Sequence, residues 1–422
     1  MKSILESPKR LLLLLIAVSL ITINPRINGW NEASRMALTQ SLVEHHSFII
    51  DQSIFVNGGD KVFINGHFYS DKPALPSIVA AVVYAPLHWL GLDLEYGWNV
   101  SYFFILLFTI KAMWIASVLA FRKVLSFTPA KANMIPLLMF IYAFSSLTFT
   151  WSVSFNNHSL AASSLMIAFM FYLKAKNNFP LTPLFWSGLF FGFAAAADVP
   201  TGIFLLGFAI LVFLHFDSTP GRAMFLVAAL IPIGSHFVIN YTISGSLLPV
   251  QIFPEYFTYD GSPWDEKALL SGVGANSPFF TLKYSVNCLF GVRGFVWYNP
   301  LLPVFVGLLY QNVRGKHQFQ RESIVIMISI LILVGYYFIF SSNYGGDSYS
   351  IRWFVPCLPF LFFYSYDIEK VMTSYGSKLG IYGLVVLATI IALIGAINPW
   401  SNHLVHPVPL IANLKQLAGF LF

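Results

Sequence analysis

The sequence predicts an all-α polytopic membrane protein. Of its 422 residues, 57% are hydrophobic and only 10% are charged, and the mean hydropathy is +0.70. A soluble domain carries roughly 25% charged residues. Helices and closed barrels are the structures that satisfy the backbone inside a bilayer, and this sequence lacks the alternating apolar residues of barrel strands. We therefore expect transmembrane helices.

Positively charged residues orient these helices. A span needs roughly 20 mostly apolar residues, and about eleven stretches come near that length. The predicted spans are residues 11–24, 99–121, 132–150, 158–174, 183–197, 200–215, 223–241, 295–312, 323–341, 353–367 and 379–397. Basic residues in the short connections, such as Arg122, Lys123 and Arg314, then fall on one side, which is cytoplasmic by the positive-inside rule. Two large segments, 25–98 and 242–294, face outward.

The apolar stretch of residues 74–92 is predicted not to cross the bilayer. If it crossed, every later basic connection would change sides. We expect a helix that lies along the outer interface or dips back into it. The basic and apolar N-terminal region resembles a secretory signal, but no small-residue cleavage site precedes Pro25. We interpret it as a retained first span, with a cleaved signal as the alternative.

Composition excludes several other classes of protein. The net charge is +6, but Lys and Arg of a membrane protein first report loop orientation, so nucleic acid is not a predicted partner. Cys288 and Cys357 lie in or beside apolar runs and form neither a disulfide framework nor a metal-binding cluster. No repeat or linker divides the chain. We predict one transmembrane domain over residues 1–422.

The first outward segment carries a carboxylate directly after the first span. Glu32 and Arg35 are three residues apart, so they share one face if the segment is helical. The surrounding apolar residues predict an amphipathic helix suited to lying on a bilayer. A solvated or salt-bridged surface carboxylate is the structural alternative for Glu32.

Asp71 and Lys72 stand side by side where the apolar stretch 74–92 begins. The preceding residues, KVFINGHFYS, alternate in polarity and predict a short hairpin. Pro73 and Pro76 fix the entry into the following helix, which would hold the ammonium of Lys72 near the headgroup plane, where lipid phosphates lie. A snorkelling lysine without a specific ligand is the alternative.

Further polar residues lie in short outward turns. Asn156, Asn157 and His158 occupy one turn and Asp198 another, so all four could face one outer cavity. Pro200 breaks the helix beside Asp198, which would equally suit a helix end in water. Lys111 falls in the middle of a predicted span, where a charge is costly and usually partnered, so we expect a packing or ligand role.

Two arginines lie at the outer ends of late spans. Arg293 and Arg352 stand among glycines and aromatic residues. Glycine lets the backbone approach a ligand closely, and a guanidinium can bind phosphate through two parallel hydrogen bonds. Interfacial anchoring is the alternative for each. Together with Lys72 they predict an anionic ligand presented by the membrane.

This order of elements resembles the GT-C class of integral-membrane glycosyltransferases, in outline the protein O-mannosyltransferases and the lipid A aminoarabinose transferases. The resemblance covers nearly the whole chain as topology, and the order of its motifs carries it. Those motifs are NEASR at 31–35, YSDKPAL at 69–75, NNH at 156–158, FGVRGF at 290–295 and NYGGDSYSIRWFVPCLP at 343–359.

The resemblance implies an inverting transferase that takes a sugar from a polyprenyl-phosphate carrier at the extracytoplasmic face of a cell membrane, most simply a bacterial inner membrane. It implies catalytic roles for Glu32 and Asp71, with Glu32 as the base. The same resemblance implies that Lys72 holds the donor phosphate, and the residues themselves add Arg293 and Arg352 as predicted phosphate-binding groups. From their positions in the outward segments, the predicted substrate-binding residues are Arg35, Asn156, Asn157, His158, Asp198, Tyr344 and Asp347.

One position departs from the pattern of the class. Relatives often begin the acidic motif with Asp-Glu, whereas Asn31 precedes Glu32 here. Either Glu32 alone is the base or another carboxylate takes part, with Asp51, Asp60, Asp71 and Asp198 as candidates. No cofactor is firmly predicted. Some relatives use a divalent metal ion, which stays open, but no cluster of His and carboxylate residues has ligand spacing, so no metal ligands are assigned.

The predicted partners are a polyprenyl-phosphate sugar lipid, membrane lipid, and an acceptor that is a glycan, a lipid or a protein. Two other functions would also use buried charges and an outer cationic site. A transporter or flippase of a lipid-linked or anionic substrate would show repeated halves, which the sequence lacks. A polysaccharide polymerase or ligase usually has its main outward loop late in the chain, whereas the longer loop comes first here.

Overall fold

The computed structural model describes residues 7–178, 181–264 and 276–421, so part of the predicted outward segment 242–294 lies outside the described residues. Most of the described chain is helical. In chain order the helices before residue 200 are α1 Pro8–Thr22, α2 Trp30–Glu44, α3 Ala74–Trp89, α4 Val100–Leu125, α5 Ile135–Phe144, α6 Leu147–Trp151, α7 Asn157–Asn178 and α8 Leu181–Ala197. The later helices are α9 Gly202–His215, α10 Thr219–Ser244, α11 Pro278–Phe290, α12 Leu302–Arg314, α13 Gln320–Phe340, α14 Leu358–Phe363, α15 Tyr375–Ile397 and α16 Pro409–Leu421.

Five helices of the described chain are long and apolar enough to cross a bilayer, namely α4, α7, α10, α13 and α15. The chain is therefore a multi-pass membrane protein, while the number of about eleven spans stays a prediction. Several predicted spans correspond to shorter or divided helices. Residues 132–150, for example, divide into α5 and α6 at Ser145 and Ser146, where the Ser146 side chain caps α6 by accepting a hydrogen bond from the backbone of Thr148.

The predicted span 353–367 is not one regular helix. It consists of a 3₁₀ segment Arg352–Cys357, the short helix α14 and a second 3₁₀ segment Tyr364–Lys370. Pro356 and Pro359 remove backbone donors there. Residues 354–368 are all buried, and irregular backbone is tolerated at membrane depth where protein surrounds it. The segment therefore fills the centre of the bundle instead of facing lipid.

Helix α2 is packed inside the protein, so the prediction of a helix lying on the bilayer is wrong. Ten of its 15 residues are buried, and most of these are polar. The reason is that α3 covers it: the hydroxyl of Ser77 donates to the carbonyl of Arg35 at 3.0 Å, and the hydroxyl of Thr39 lies 3.3 Å from the carbonyl of Ser77. The polar face that would meet water instead meets other polar groups of the protein.

The predicted hairpin is present as β1 Lys61–Ile64 and β2 His67–Ser70, paired antiparallel. Asn65 and Gly66 form its turn with φ of 52° and 88°, the left-handed conformation that Asn-Gly turns favour. Strand β2 leads directly to Asp71, and α3 begins at Ala74 after Pro73. The hairpin thus fixes where Asp71 and Lys72 lie against α2.

Candidate active site

Lys72 lies between two carboxylates. Its Nζ is 2.6 Å from Oδ2 of Asp71 and 2.8 Å from Oδ2 of Asp60, and its side chain is only 16% exposed. The other oxygen of Asp71 accepts from Ser34 of α2 at 3.1 Å. A free snorkelling lysine is therefore excluded, because the ammonium is held in one place. Burial raises the pKa of Asp71, and the adjacent Lys72 opposes that rise.

Arg35 is fully buried yet incompletely paired. Its Nη2 donates to Oδ1 of Asn157 at 2.8 Å, and its Nε donates to Oδ1 of Asn31 at 3.4 Å. Nη1 is buried without a hydrogen-bond partner among the described residues. Burial lowers the pKa of Arg35 to about 10, so the group stays positive at neutral pH. The considered ion pair with Glu32 is not among the described ion pairs, because each side chain has other partners.

Glu32 is buried and its carboxylate is surrounded by donors. Oε2 accepts from the backbone of Asn28 at 2.8 Å. Oε1 accepts from Tyr102, from Ser154 and from the backbone of Phe155, at 2.6, 2.8 and 3.2 Å. Burial raises the pKa of Glu32 and these hydrogen bonds oppose the rise. The alternative of a solvated surface carboxylate is therefore wrong, since Glu32 is buried and joins α2 to α4 and to the turn before α7.

His158 and Asp198 form a buried pair. Nδ1 of His158 lies 2.7 Å from Oδ2 of Asp198, and both side chains are 5% exposed. The alternative of a solvated helix end is therefore wrong for Asp198. Asn156, beside this pair, is used by the turn itself: its amide donates to the carbonyls of Trp151 and Ser154. Of the NNH motif, Asn157 contacts Arg35 and His158 contacts Asp198.

Arg352 brings the late part of the chain into the same site. Its guanidinium carbon lies 4.7 Å from the ring centre of Trp400, and its Nε and Nη1 are buried without a partner among the described residues. Burial lowers the pKa of Arg352, and the charges of Asp60, Asp198 and Asp71 oppose this. The same three carboxylates and Arg352 also act on the pKa of Arg35. These groups therefore share one electrostatic environment.

Arg293 belongs to a neighbouring group of residues. Its Nη2 lies 3.6 Å from Oδ1 of Asp347, and that oxygen lies 2.6 Å from Nδ1 of His403. Its Nη1 donates to the carbonyl of Gly346. The preceding residue, Gly345, lies close to Arg352. A Cβ added at Gly345 would be 3.3 Å from Cγ of Arg352. The loop around 345–346 therefore connects the two predicted phosphate-binding arginines. The remaining loop residue of the prediction, Tyr344, packs its ring on Tyr284 with 5.4 Å between centres.

Lys111 has a packing role in the described structure. Its Nζ donates to Thr22 of α1 at 2.8 Å and to Ser152 at 3.0 Å. The rings of Trp114 and Phe149 lie 5.3 and 5.5 Å away. The sequence alone allowed either a packing role or a ligand role for Lys111. It fixes the turn that carries Ser154, one of the donors to Glu32.

Some residues of the site had no distinguishing sequence signal. No motif or spacing in the sequence marks Tyr102, Ser154, Trp400 or His403. Their roles follow from contacts across long separations, such as the hydrogen bond of 2.9 Å from Nε1 of Trp400 to Ser154.

Among the described residues, the charged site has no cluster of three metal-ligand residues. Its carboxylates are already paired, Asp60 and Asp71 with Lys72 and Asp198 with His158. Within the described ranges, one group of three metal-ligand residues was found, Glu44, His88 and Asp93, with ligand atoms within 4.8 Å of one another. It lies at the C-terminal ends of α2 and α3, and none of the three is among the charges that act on Arg35 or Arg352.

The fold of the chain is similar to that of solved GT-C glycosyltransferases. No sequence-family model matches it, and no curated protein does. ArnT from Cupriavidus metallidurans bound to undecaprenyl phosphate matches with a TM-score of 0.53 and 12% identity, over 97% of this chain and 74% of that one. The oligosaccharyltransferase of Archaeoglobus fulgidus in complex with Zn and sulfate matches with a TM-score of 0.54 and 12% identity. That match covers 91% of this chain, which spans about half of the archaeal enzyme (52%). Both are GT-C enzymes, so the predicted fold resemblance is confirmed.

Proposed function

We propose that this protein is an inverting glycosyltransferase that moves a sugar from a polyprenyl-phosphate carrier to an acceptor at the outer membrane face. One observation carries the proposal: Arg35 and Arg352 lie in one charged site with buried N–H groups that have no partner among the described residues. A buried charged donor left unpaired costs free energy. A phosphate would satisfy these donors, and a guanidinium matches its geometry.

The position of the site favours a phosphate carried by a lipid. Lys72 lies one residue before the Pro73 cap of α3, an apolar helix that we predict to lie at the outer interface. ArnT, whose fold this chain shares, was crystallised with undecaprenyl phosphate. We therefore assign the donor phosphate to Lys72, Arg352 and Arg35, with Arg293 at the rim through the 345–346 loop.

Each charged residue then has a role in the departure of the sugar from the phosphate. The acceptor oxygen bonds to the anomeric carbon as the bond from that carbon to the phosphate oxygen breaks, which inverts the carbon. The electron pair stays on the phosphate, where the fixed cations stabilise it. Asp71 orients Lys72 and is the carboxylate nearest to a bound sugar hydroxyl in this proposal.

The role of Glu32 differs from that of the other charged residues. As the base, it would have to exchange one of its four donors for the acceptor hydroxyl, because both of its oxygens are already hydrogen-bonded. We therefore propose that its main contribution is to hold α2 and Ser154 in place, with the role of base as the alternative. Direct attack by its carboxylate is disfavoured by the same hydrogen bonds.

The test is incubation of the purified protein with a panel of radiolabelled polyprenyl-phosphate sugars, scoring transfer to a membrane extract and hydrolysis. We expect cleavage of at least one donor by the wild type and loss of that activity in Arg352→Gln. Arg314→Gln is the matched control, since Arg314 is an exposed arginine at the end of α12. A transporter or flippase would instead move the lipid with its sugar-phosphate bond intact, and that result would refute the proposal.

A further inference from the structure

We infer that His158, oriented by Asp198, is the general base that takes the proton of the acceptor hydroxyl. This inference rests on the proposed transferase function and adds its missing proton acceptor. The pair has the geometry of a base held by a carboxylate: Nδ1 of His158 lies 2.7 Å from Oδ2 of Asp198, and both side chains are 5% exposed.

The hydrogen bond to Asp198 determines which nitrogen is free. A carboxylate accepts from Nδ1–H, which leaves the lone pair of the neutral ring on Nε2. Among the described residues Nε2 has no hydrogen-bond partner, and it is not one of the unpaired atoms that are sealed from solvent. The neutral ring thus keeps a basic nitrogen without a partner in the described chain, on a side chain that is only 5% exposed.

His158 lies beside the groups assigned to the phosphate. It is the second residue of α7, and the first residue, Asn157, accepts from Nη2 of Arg35. The charges that act on the imidazole are those of Asp198, Arg352 and Arg35. The positive end of the α7 dipole also favours the neutral ring that a base requires. The imidazole thus pairs with its carboxylate within the electrostatic reach of the cations that would hold the leaving group.

The other titratable candidates are occupied. The Glu32 carboxylate accepts four hydrogen bonds, while Asp60 and Asp71 share the ammonium of Lys72. Asn31 carries an amide where relatives of the resembled class often have a carboxylate, and an amide cannot take the proton. Nε2 of His158 is therefore an unused proton-accepting atom on a buried side chain of this site, whereas the imidazole of His403, which also faces a carboxylate, is 52% exposed.

The proposed step is balanced without any co-reactant. Nε2 takes the proton of the acceptor hydroxyl as its oxygen bonds to the anomeric carbon. The carbon–oxygen bond to the phosphate breaks, and its electron pair stays on the phosphate beside Arg35, Arg352 and Lys72. Asp198 stabilises the imidazolium, which then loses its extra proton to water.

The experiment measures donor and acceptor kinetics of His158→Ala, using the labelled donor that the wild type turns over. General-base catalysis is worth about 10²–10⁴-fold, so kcat should fall by that factor with little change in KM for the donor. Added imidazole should restore part of the lost rate. Asp198→Asn should also lower kcat, because an amide can donate to Nδ1 and so leave the ring proton on Nε2, where the base needs its lone pair. His45→Ala, at an exposed histidine after α2, should retain wild-type kinetics.

His158→Gln provides a second variant if the alanine protein does not fold, and it should lose kcat without rescue because the new side chain occupies the space. Wild-type kcat in either variant would overturn the inference, and so would a loss in His158→Ala that imidazole does not relieve. A wild type that cleaves no donor refutes the proposed function itself. Transfer by the wild type together with active His158 variants refutes only the base.

Discussion

The ammonium of Lys72 lies 2.6 Å from the carboxylate of its sequence neighbour Asp71. Adjacent residues rarely pair this way in an extended strand, because their side chains point to opposite faces. Here Pro73 redirects the chain into α3 just after the hairpin. The pair is then held by Asp60 on one side and by Ser34 on the other, which places a fixed positive charge at the predicted lipid interface.

Lys72→Ala should weaken binding of the carrier lipid more than binding of the acceptor. Removing the ammonium leaves Asp60 and Asp71 as unpaired carboxylates that repel a phosphate, and breaking such a pair costs about 2–5 kcal/mol. We expect carrier binding to fall by at least about tenfold, measured with labelled polyprenyl phosphate. Lys61→Ala, at the nearby lysine that donates to the Val56 carbonyl, is the control. Equal binding of the carrier by both variants would contradict the assignment.

Arg352→Lys should weaken carrier binding although it keeps the charge. Lysine lacks the planar fork and stacks less well on Trp400, so at least one charged hydrogen bond to the phosphate is lost. Such a bond is worth about 1.5–3 kcal/mol, or roughly a tenfold to hundredfold change in the dissociation constant. The same change at the exposed Arg314 should have no effect. A lysine variant that binds as tightly as wild type would show that Arg352 is an interfacial anchor.

Gly345→Ala should raise the KM for the donor, whereas Gly346→Ala should not. Both glycines have positive φ, +85° and +70°, so alanine strains the backbone similarly at each. Only the Cβ at 345 would meet Arg352, at 3.3 Å from its Cγ and Nε, while that at 346 meets nothing within 4 Å. Steady-state kinetics on the two variants separates displacement of the guanidinium from strain. Similar KM values for both would count against a role of this loop in binding.

Glu32→Gln distinguishes the two roles of Glu32. An amide can keep its oxygen toward Tyr102 and Ser154, but its NH₂ then faces the N–H of Asn28, which is left unpaired. If Glu32 is structural, the free energy of unfolding should fall by about 1–3 kcal/mol, and the activity should fall with it. Thermal unfolding in detergent and transfer assays on the same samples test this. Abolished transfer at unchanged stability would instead identify Glu32 as the base.

Stability should also depend on the ionisation of Glu32. Burial raises the pKa of this carboxyl above its ordinary value, so the folded protein binds its proton more tightly than the unfolded chain does. The resulting stabilisation is present below the ordinary pKa and is lost as the pH rises through the folded pKa. Thermal unfolding followed across this range should show a steeper decline for wild type than for Glu32→Gln. Parallel curves would show that Glu32 does not contribute to this pH dependence.

Local patterns predicted the elements that depend on near neighbours in sequence. Alternating polarity and Asn65-Gly66 specify the hairpin, and Pro73 marks the start of α3, because turn geometry and proline sterics act within a few residues. The predicted placement of Lys72 and Arg352 in one site follows from span order and is supported by their shared carboxylates. The burial of α2 was missed, since its polar residues read as a solvated face when their partners are unknown.

The sequence by itself determined that this protein is a membrane protein built of apolar helices, because hydropathy sets what lipid can solvate. Only the tertiary structure decided which polar residues meet. His158 and Asp198 are 40 residues apart, and Arg35 and Asn157 are 122 apart. Such pairs form because a buried polar group must find a donor or acceptor, and the packing of helices decides which one is within reach.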